Sequence, residues 1–155
     1  MTFLPGIVQL DRTPTDVQIR LRSAESDGEL GVVELVMAPA SSGPPLHRHP
    51  THGEGFYVLD GRLTFQVGDR IVTAEPGAWL FAPRNAPHTL ANFENEPGRL
   101  LCVFAPAGFE RRFERALAQQ MDDPALAESL RELAEAERLT ELLGPPLTPP
   151  NGLTR

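Results

Sequence analysis

Between Ile7 and Ala105 the chain is a succession of short β-rich runs separated by pairs of turn residues, with no long helical stretch between them. The runs cover 17–22, 31–37, 56–60, 63–67, 71–74, 79–82, 88–93 and 100–105. Asp27-Gly28, Asp60-Gly61, Gly68-Asp69, Pro76-Gly77 and Pro97-Gly98 punctuate them. Glycine supplies the left-handed backbone of tight turns, and Asp and Pro favour the residues beside it. Many short strands at near-regular spacing predict an all-β, antiparallel sandwich or barrel. Several runs are apolar at both parities, which calls for two stacked sheets or a partner subunit over one outer face.

After Pro106 the period changes. Phe109, Phe113, Leu117 and Met121 recur every four residues, the stripe of an amphipathic helix over 108–121. Asp123-Pro124 reads as an N-cap followed by proline at the first helical position, and Leu126, Leu130 and Leu133 carry a stripe on to about Glu137. Leu142-Leu143-Gly144-Pro145-Pro146 cannot end as a helix. The expected organisation is a β-barrel over 1–106 and a helical, proline-rich extension over 107–155 packed on it.

Composition removes several classes of function. At 155 residues the chain is the size of one domain, and net charge is -7, which gives no electrostatic footprint for nucleic acid or an anionic membrane. No apolar stretch approaches a membrane span, and MTFLPGIVQLDR has no basic region ahead of a long apolar run, so no signal peptide is expected. The single cysteine, Cys102, permits no internal disulfide and fits a reducing, cytoplasmic setting. It sits in an apolar β-like run and reads as a packing residue with a raised pKa. All 14 basic residues are arginine, so chemistry that needs a lysine amine is excluded.

All four histidines, His47, His49, His52 and His88, lie between positions 47 and 88, with Glu54 among them. Imidazole and carboxylate are the ligand set of borderline transition-metal ions. Alternation along a strand sends His47 and His49 to the same side. Pro50 and Gly53 mark a turn, after which Glu54 returns over that side. His88 arrives on a distant strand through the turn Pro83-Arg84-Asn85-Ala86-Pro87. Three imidazoles and one carboxylate are thus expected to meet inside the barrel around one divalent transition-metal ion (Fe, Mn, Ni, Co, Cu or Zn), with one or two positions left open. If Glu54 faces that ion, so do Phe56 and Val58, and Tyr57 faces away into packing or a dimer interface. Phe65, Trp79, Phe81 and Phe104 are further candidates for an apolar, aromatic pocket wall.

The spacing resembles that of a single-domain cupin. Two histidines one apart, an acid five residues later and a glycine seven beyond match His47, His49, Glu54 and Gly61. The second motif of glycine, proline, histidine and asparagine matches Gly77, Pro83, His88 and Asn92. Two positions depart from the pattern. Ser41 stands where the family opens on glycine, with Gly43 nearby, and Asn85 stands for the glycine two after the motif's proline. Asparagine tolerates the left-handed conformation, so the turn is expected to survive. The resemblance implies a jelly-roll barrel that commonly pairs as a homodimer. His52 lies in a turn position the family does not use as a ligand, so a solvated loop histidine is expected ahead of a role as a partner to the ligands or a proton shuttle. Arg84 is expected at the surface, and Asn92 is expected to orient its strand by hydrogen bonds.

The order of segments, including Gly108-Phe109-Glu110 and Leu143-Gly144-Pro145-Pro146, resembles the quercetin 2,3-dioxygenase-like group. It implies an oxidoreductase in which Glu54 takes the proton of a small phenolic or enolic, flavonol-like substrate. Two alternatives stand beside it: a redox-neutral metal-dependent isomerase, cyclase or lyase, and a non-enzymatic small-molecule-binding barrel. No helix-turn-helix region precedes the barrel, which disfavours a fused transcription regulator.

Overall fold

A computed structural model describes residues 17–114 and 139–150 of the chain. Positions 1–16 and the helical stripe expected from Leu117 to Glu137 lie outside these residues. Among the described residues the strands are β1 Val17–Leu21, β2 Gly31–Met37, β3 Ser41–Ser42, β4 Pro45–Arg48, β5 Gly53–Asp60, β6 Leu63–Val67, β7 Arg70–Ala74, β8 Trp79–Ala82, β9 His88–Asn92, β10 Gly98–Ala105 and β11 Glu141–Pro146. A short 3-10 turn spans Ser23–Glu25, and a helix begins at residue 110.

Two antiparallel sheets face each other. One runs β1-β2-β10-β5-β8 and the other β11-β4-β9-β6-β7, with β3 added against β9. The expected runs became strands almost where they were placed, with 56–60 reaching back to Gly53 and 100–105 starting at Gly98. β11 was not expected as a strand. Its two prolines sit at its end, on a sheet edge, where a missing N–H costs the ladder least.

The core fills the space between the sheets. β5 and β10 send Phe56, Val58, Leu100, Cys102 and Phe104 inward, and the opposite sheet sends Leu63, Phe65 and Leu90 to meet them. Phe56 and Phe65 touch across the gap with ring centroids 5.3 Å apart. Each phenylalanine so buried stabilises the fold by about 1.5–3 kcal/mol relative to exposure.

A buried acid holds the barrel's helical exit. Glu110 is fully buried, and its carboxylate accepts the backbone N–H of Ser23 at 2.7 Å and of Gly108 at 2.6 Å. It lies directly over Gly31, where an added Cβ would collide with the carboxylate. This latch fixes the start of the helix and places Phe109 against the histidine cluster.

Candidate metal centre

β4 delivers His47 and, one residue past its end, His49. β9 opens on His88, which stands directly across from His47 in the antiparallel register. Glu54 comes from β5 in the opposite sheet. One donor atom from each of His47, His49, Glu54 and His88 lies within 4.8 Å of the others, and all four side chains are buried. The turn between β8 and β9 survives the missing glycine: Asn85 adopts φ 65°, and its N–H donates to the His49 carbonyl at 2.9 Å.

Hydrogen bonds decide which ring nitrogens face the centre. The Nδ1 atoms of His47, His49 and His88 lie 2.7, 2.6 and 2.9 Å from the carbonyl oxygens of Pro45, Leu139 and Ala86. A carbonyl can only accept, so each Nδ1 carries a proton and each ring turns its Nε2 inward, where it donates to Glu54 if protonated or offers a lone pair to an ion. Glu54 Oε2 sits 3.0 Å from Nε2 of both His49 and His88. Lone pairs and a carboxylate oxygen crowded this closely require a cation between them, either protons or a metal ion. The donor set fits a borderline divalent ion.

Without an ion, the contacts within the group shift its members in different directions. Burial alone would raise the Glu54 carboxyl, but the hydrogen bonds and charges of His49 and His88 hold it at about 2, so it is anionic at neutral pH. Burial lowers His47 to about 4, helped by the neighbouring imidazoles, which keeps it a neutral ligand. Burial also lowers His88, but the hydrogen bond and charge of Glu54 outweigh it and raise its pKa.

His52 departs from expectation. It is 2% exposed rather than solvated, and its ring stacks on His49 at 4.2 Å with 22° between planes. Phe109 lies 5.1 Å from it and 4.5 Å from His49, covering the pair from the helix start. Thr51 Oγ1 contacts Nδ1 at 2.9 Å, while Nε2 is buried with no partner among the described residues. Burial brings its pKa down to about 3. The turn is polar in sequence, but the rings on either side draw the imidazole inward.

The aromatic candidates divide by face. Phe56 and Phe104 flank the cluster, with centroids 5.9 Å from His88 and 5.7 Å from His52, and Val58 and Phe65 complete the apolar interior. Trp79 and Phe81 do not belong there. They are 55% and 53% exposed on the outer face, because in β8 it is Leu80 and Ala82 that turn inward. Their register partners Tyr57 and Gly55 are on that same outer face, so Tyr57 points away from the site as parity required. Arg84 is exposed. Asn92 is fully buried and does orient its strand: Nδ2 donates to the carbonyls of Met37, Ala38 and Glu96, and Oδ1 accepts the Glu94 N–H.

Two contacts of the cluster had gone unseen, although Cys102 is buried with a raised pKa as expected. Cys102 is a buried thiol whose pKa is pushed well up by burial and by Glu54, to which it hydrogen-bonds. Strand parity with Leu100 and Phe104 could have placed it on the inner face. The Leu139 carbonyl is a backbone group, for which sequence carries no signal.

Residues 33–104 match the family model described as a cupin domain. An uncharacterized protein of Methanocaldococcus jannaschii, MJ1618, is 30% identical over 70 residues, which are 45% of this chain and 56% of that one. The chain thus matches little more than half the length of that relative. The crystal structure of TT1209 from Thermus thermophilus superposes with a TM-score of 0.52 at 27% identity, covering 63% of this chain and 90% of that one. An RmlC-like cupin from Shewanella frigidimarina gives a TM-score of 0.51 at 22% identity, covering 62% and 82%. No helix among the described residues is long and apolar enough to cross a membrane. Residues 33–104 thus resemble a cupin domain, and the two-sheet fold around them is the cupin fold.

Proposed function

We propose that this protein is a metal-dependent dioxygenase acting on a small phenolic or enolic substrate of flavonol type. One observation carries the reading: three inward Nε2 atoms and one anionic carboxylate converge at the wall of a barrel otherwise lined by Phe56, Val58, Phe65 and Phe104. A divalent transition metal held by His47, His49, Glu54 and His88 would supply Lewis acidity and redox capacity at its open positions. The phenylalanines are fully buried and exclude water from the centre, and a planar substrate would have to part them to meet their flat apolar faces. Glu54, ionised among these rings, is the group that would accept the substrate's hydroxyl proton.

The working unit in this reading is a homodimer. Trp79 and Phe81 are more than half exposed, and Tyr57 is 38% exposed on the same outer sheet face. A second copy covering that face would bury rings that water otherwise meets.

Oxygen uptake is the test, using protein loaded separately with iron, manganese, cobalt and nickel and offered a panel of flavonols and catechols. Uptake matched by product containing both oxygen atoms supports the reading. Product formed under strict anaerobiosis would replace it with a redox-neutral isomerase, cyclase or lyase. Thermal stabilisation by those compounds without turnover under any metal would replace it with a binding protein.

A further inference from the structure

The three ligand histidines are held in two different ways. His47 and His88 each bond a carbonyl two residues back in their own segment, those of Pro45 and Ala86. His49 has no such local partner. Its Nδ1 donates to the carbonyl of Leu139, ninety residues along the chain, in the shortest of the three bonds at 2.6 Å. Thr140 Oγ1 stands 3.4 Å from the same nitrogen.

Leu139 is kept there by β11. Glu141 pairs with Arg48 and Leu142 with His47 in the β11–β4 register, so the C-terminal strand lies along the segment that bears two ligands. Arg48 Nε also donates to Glu141 Oε2 at 2.8 Å. Leu139 itself is buried in the core, which anchors the carbonyl from its other side. Between Leu139 and the buried Leu147 the attachment is light. Leu142 is 67% and Leu143 42% exposed, the ion pair is solvated, and β11 is a sheet edge. The match to the cupin domain ends at residue 104, so this strand is an addition beyond the matched segment.

We infer that β11 is a working part of the metal centre: by presenting the Leu139 carbonyl it sets the tautomer of His49, and strand docking and ion binding therefore form one coupled equilibrium. With the carbonyl in place, His49 carries its proton on Nδ1 and offers Nε2 to the ion. With β11 detached, the ring is free to carry the proton on Nε2, where it opposes an ion. Loss of such an outer partner weakens metal affinity by about 10–100-fold. Linkage makes the effect reciprocal, so an ion in the site must also hold β11 down. The inference rests on the metal-binding reading of the four residues, and the experiment separates the two.

The variant Glu141→Pro/Leu142→Pro removes two successive N–H groups, of which alternation turns one toward β4, at two exposed positions of the edge strand. Its Zn2+ dissociation constant, measured by chelator competition, should rise about 10–100-fold. The imidazole 15N shifts of the zinc-free protein should leave the Nδ1–H pattern at His49 alone, with His47 and His88 unchanged as internal controls. An unchanged His49 pattern with a dissociation constant within twofold would overturn the inference. Should the variant fail to fold, amide exchange on the unmodified chain decides. Zn2+ should slow exchange across β11, and slowing confined to β4, β5 and β9 would overturn the inference. His88→Ala tests the underlying reading: if it binds Zn2+ as tightly as the unmodified chain, the metal centre itself fails, whatever β11 does.

Discussion

The two faces of the five-stranded sheet carry similar rings to opposite ends. On the inner face Phe56 and Phe104 are sealed, at 2% and 0% exposure, and enclose the Glu54 carboxylate and the histidine rings. On the outer face Trp79 and Phe81 are more than half exposed, lying over glycines of β5. The same strands build both, so the difference is one of parity rather than composition. Inside, rings define a dry, rigid wall that strengthens every electrostatic interaction at the site. Outside, rings cover backbone and leave a surface for association.

That contrast can be broken by substitution. Phe104→Ala should lower stability by about 3–5 kcal/mol, because it opens a cavity beside His52 and Phe109. Phe81→Ala on the outer face should cost under about 1 kcal/mol. Urea unfolding compares the two, and equal costs would dissolve the distinction between the faces.

Acid tests the inner face by itself. His47 and His52, with usual values near 6.5, are held at about 4 and about 3, so the unfolded chain takes up protons first as pH falls. Chelator-treated protein should therefore lose stability from pH 6.5 down to about 4, on the order of 2 kcal/mol after discounting for solvent. Glu54 adds to the loss below its usual 4.5, as pH approaches about 2. His88 runs the other way, since its raised pKa contributes stability below 6.5 that is lost as pH rises through the folded value. Urea midpoints at pH 7, 5.5 and 4 measure the balance, and a flat profile would mean these rings are not buried as neutral groups.

The outer face responds to bulk. An added Cβ at Gly55 would run into the Trp79 ring, the far end of a side chain that can move outward. Gly55→Ala should cost roughly 1–3 kcal/mol and increase the solvent quenching of the single tryptophan. Unchanged fluorescence would mean that the ring does not lie on β5. The smallest effect is expected at His52. Its Nε2 has no partner among the described residues, so His52→Phe keeps the stack on His49 and removes an unsatisfied polar atom, leaving stability within about 1 kcal/mol. A loss above that in thermal melts would reveal a bond to Nε2 from water or a ligand.

Sequence reached the cluster of His47, His49, Glu54 and His88 because local rules govern it. Alternation aligned His47 with His49, the Gly53 turn returned Glu54, and Asn85 took the left-handed turn before His88. It failed where the deciding contact is remote. His52 is buried by Phe109, which the Glu110 latch brings back across the barrel. Trp79 and Phe81 could have faced either way, and the Tyr57–Trp79 register settled their side. β11 was hidden by its prolines, which forbid a helix but leave an edge strand open.

The central claim is that His47, His49, Glu54 and His88 hold one divalent ion. Metal content after dialysis against Zn2+, compared between the unmodified chain and His88→Ala of equal circular dichroism, tests it most directly. The account predicts one tightly held ion per chain and its loss in the variant. Equal zinc in both, held against the same chelator, would contradict it.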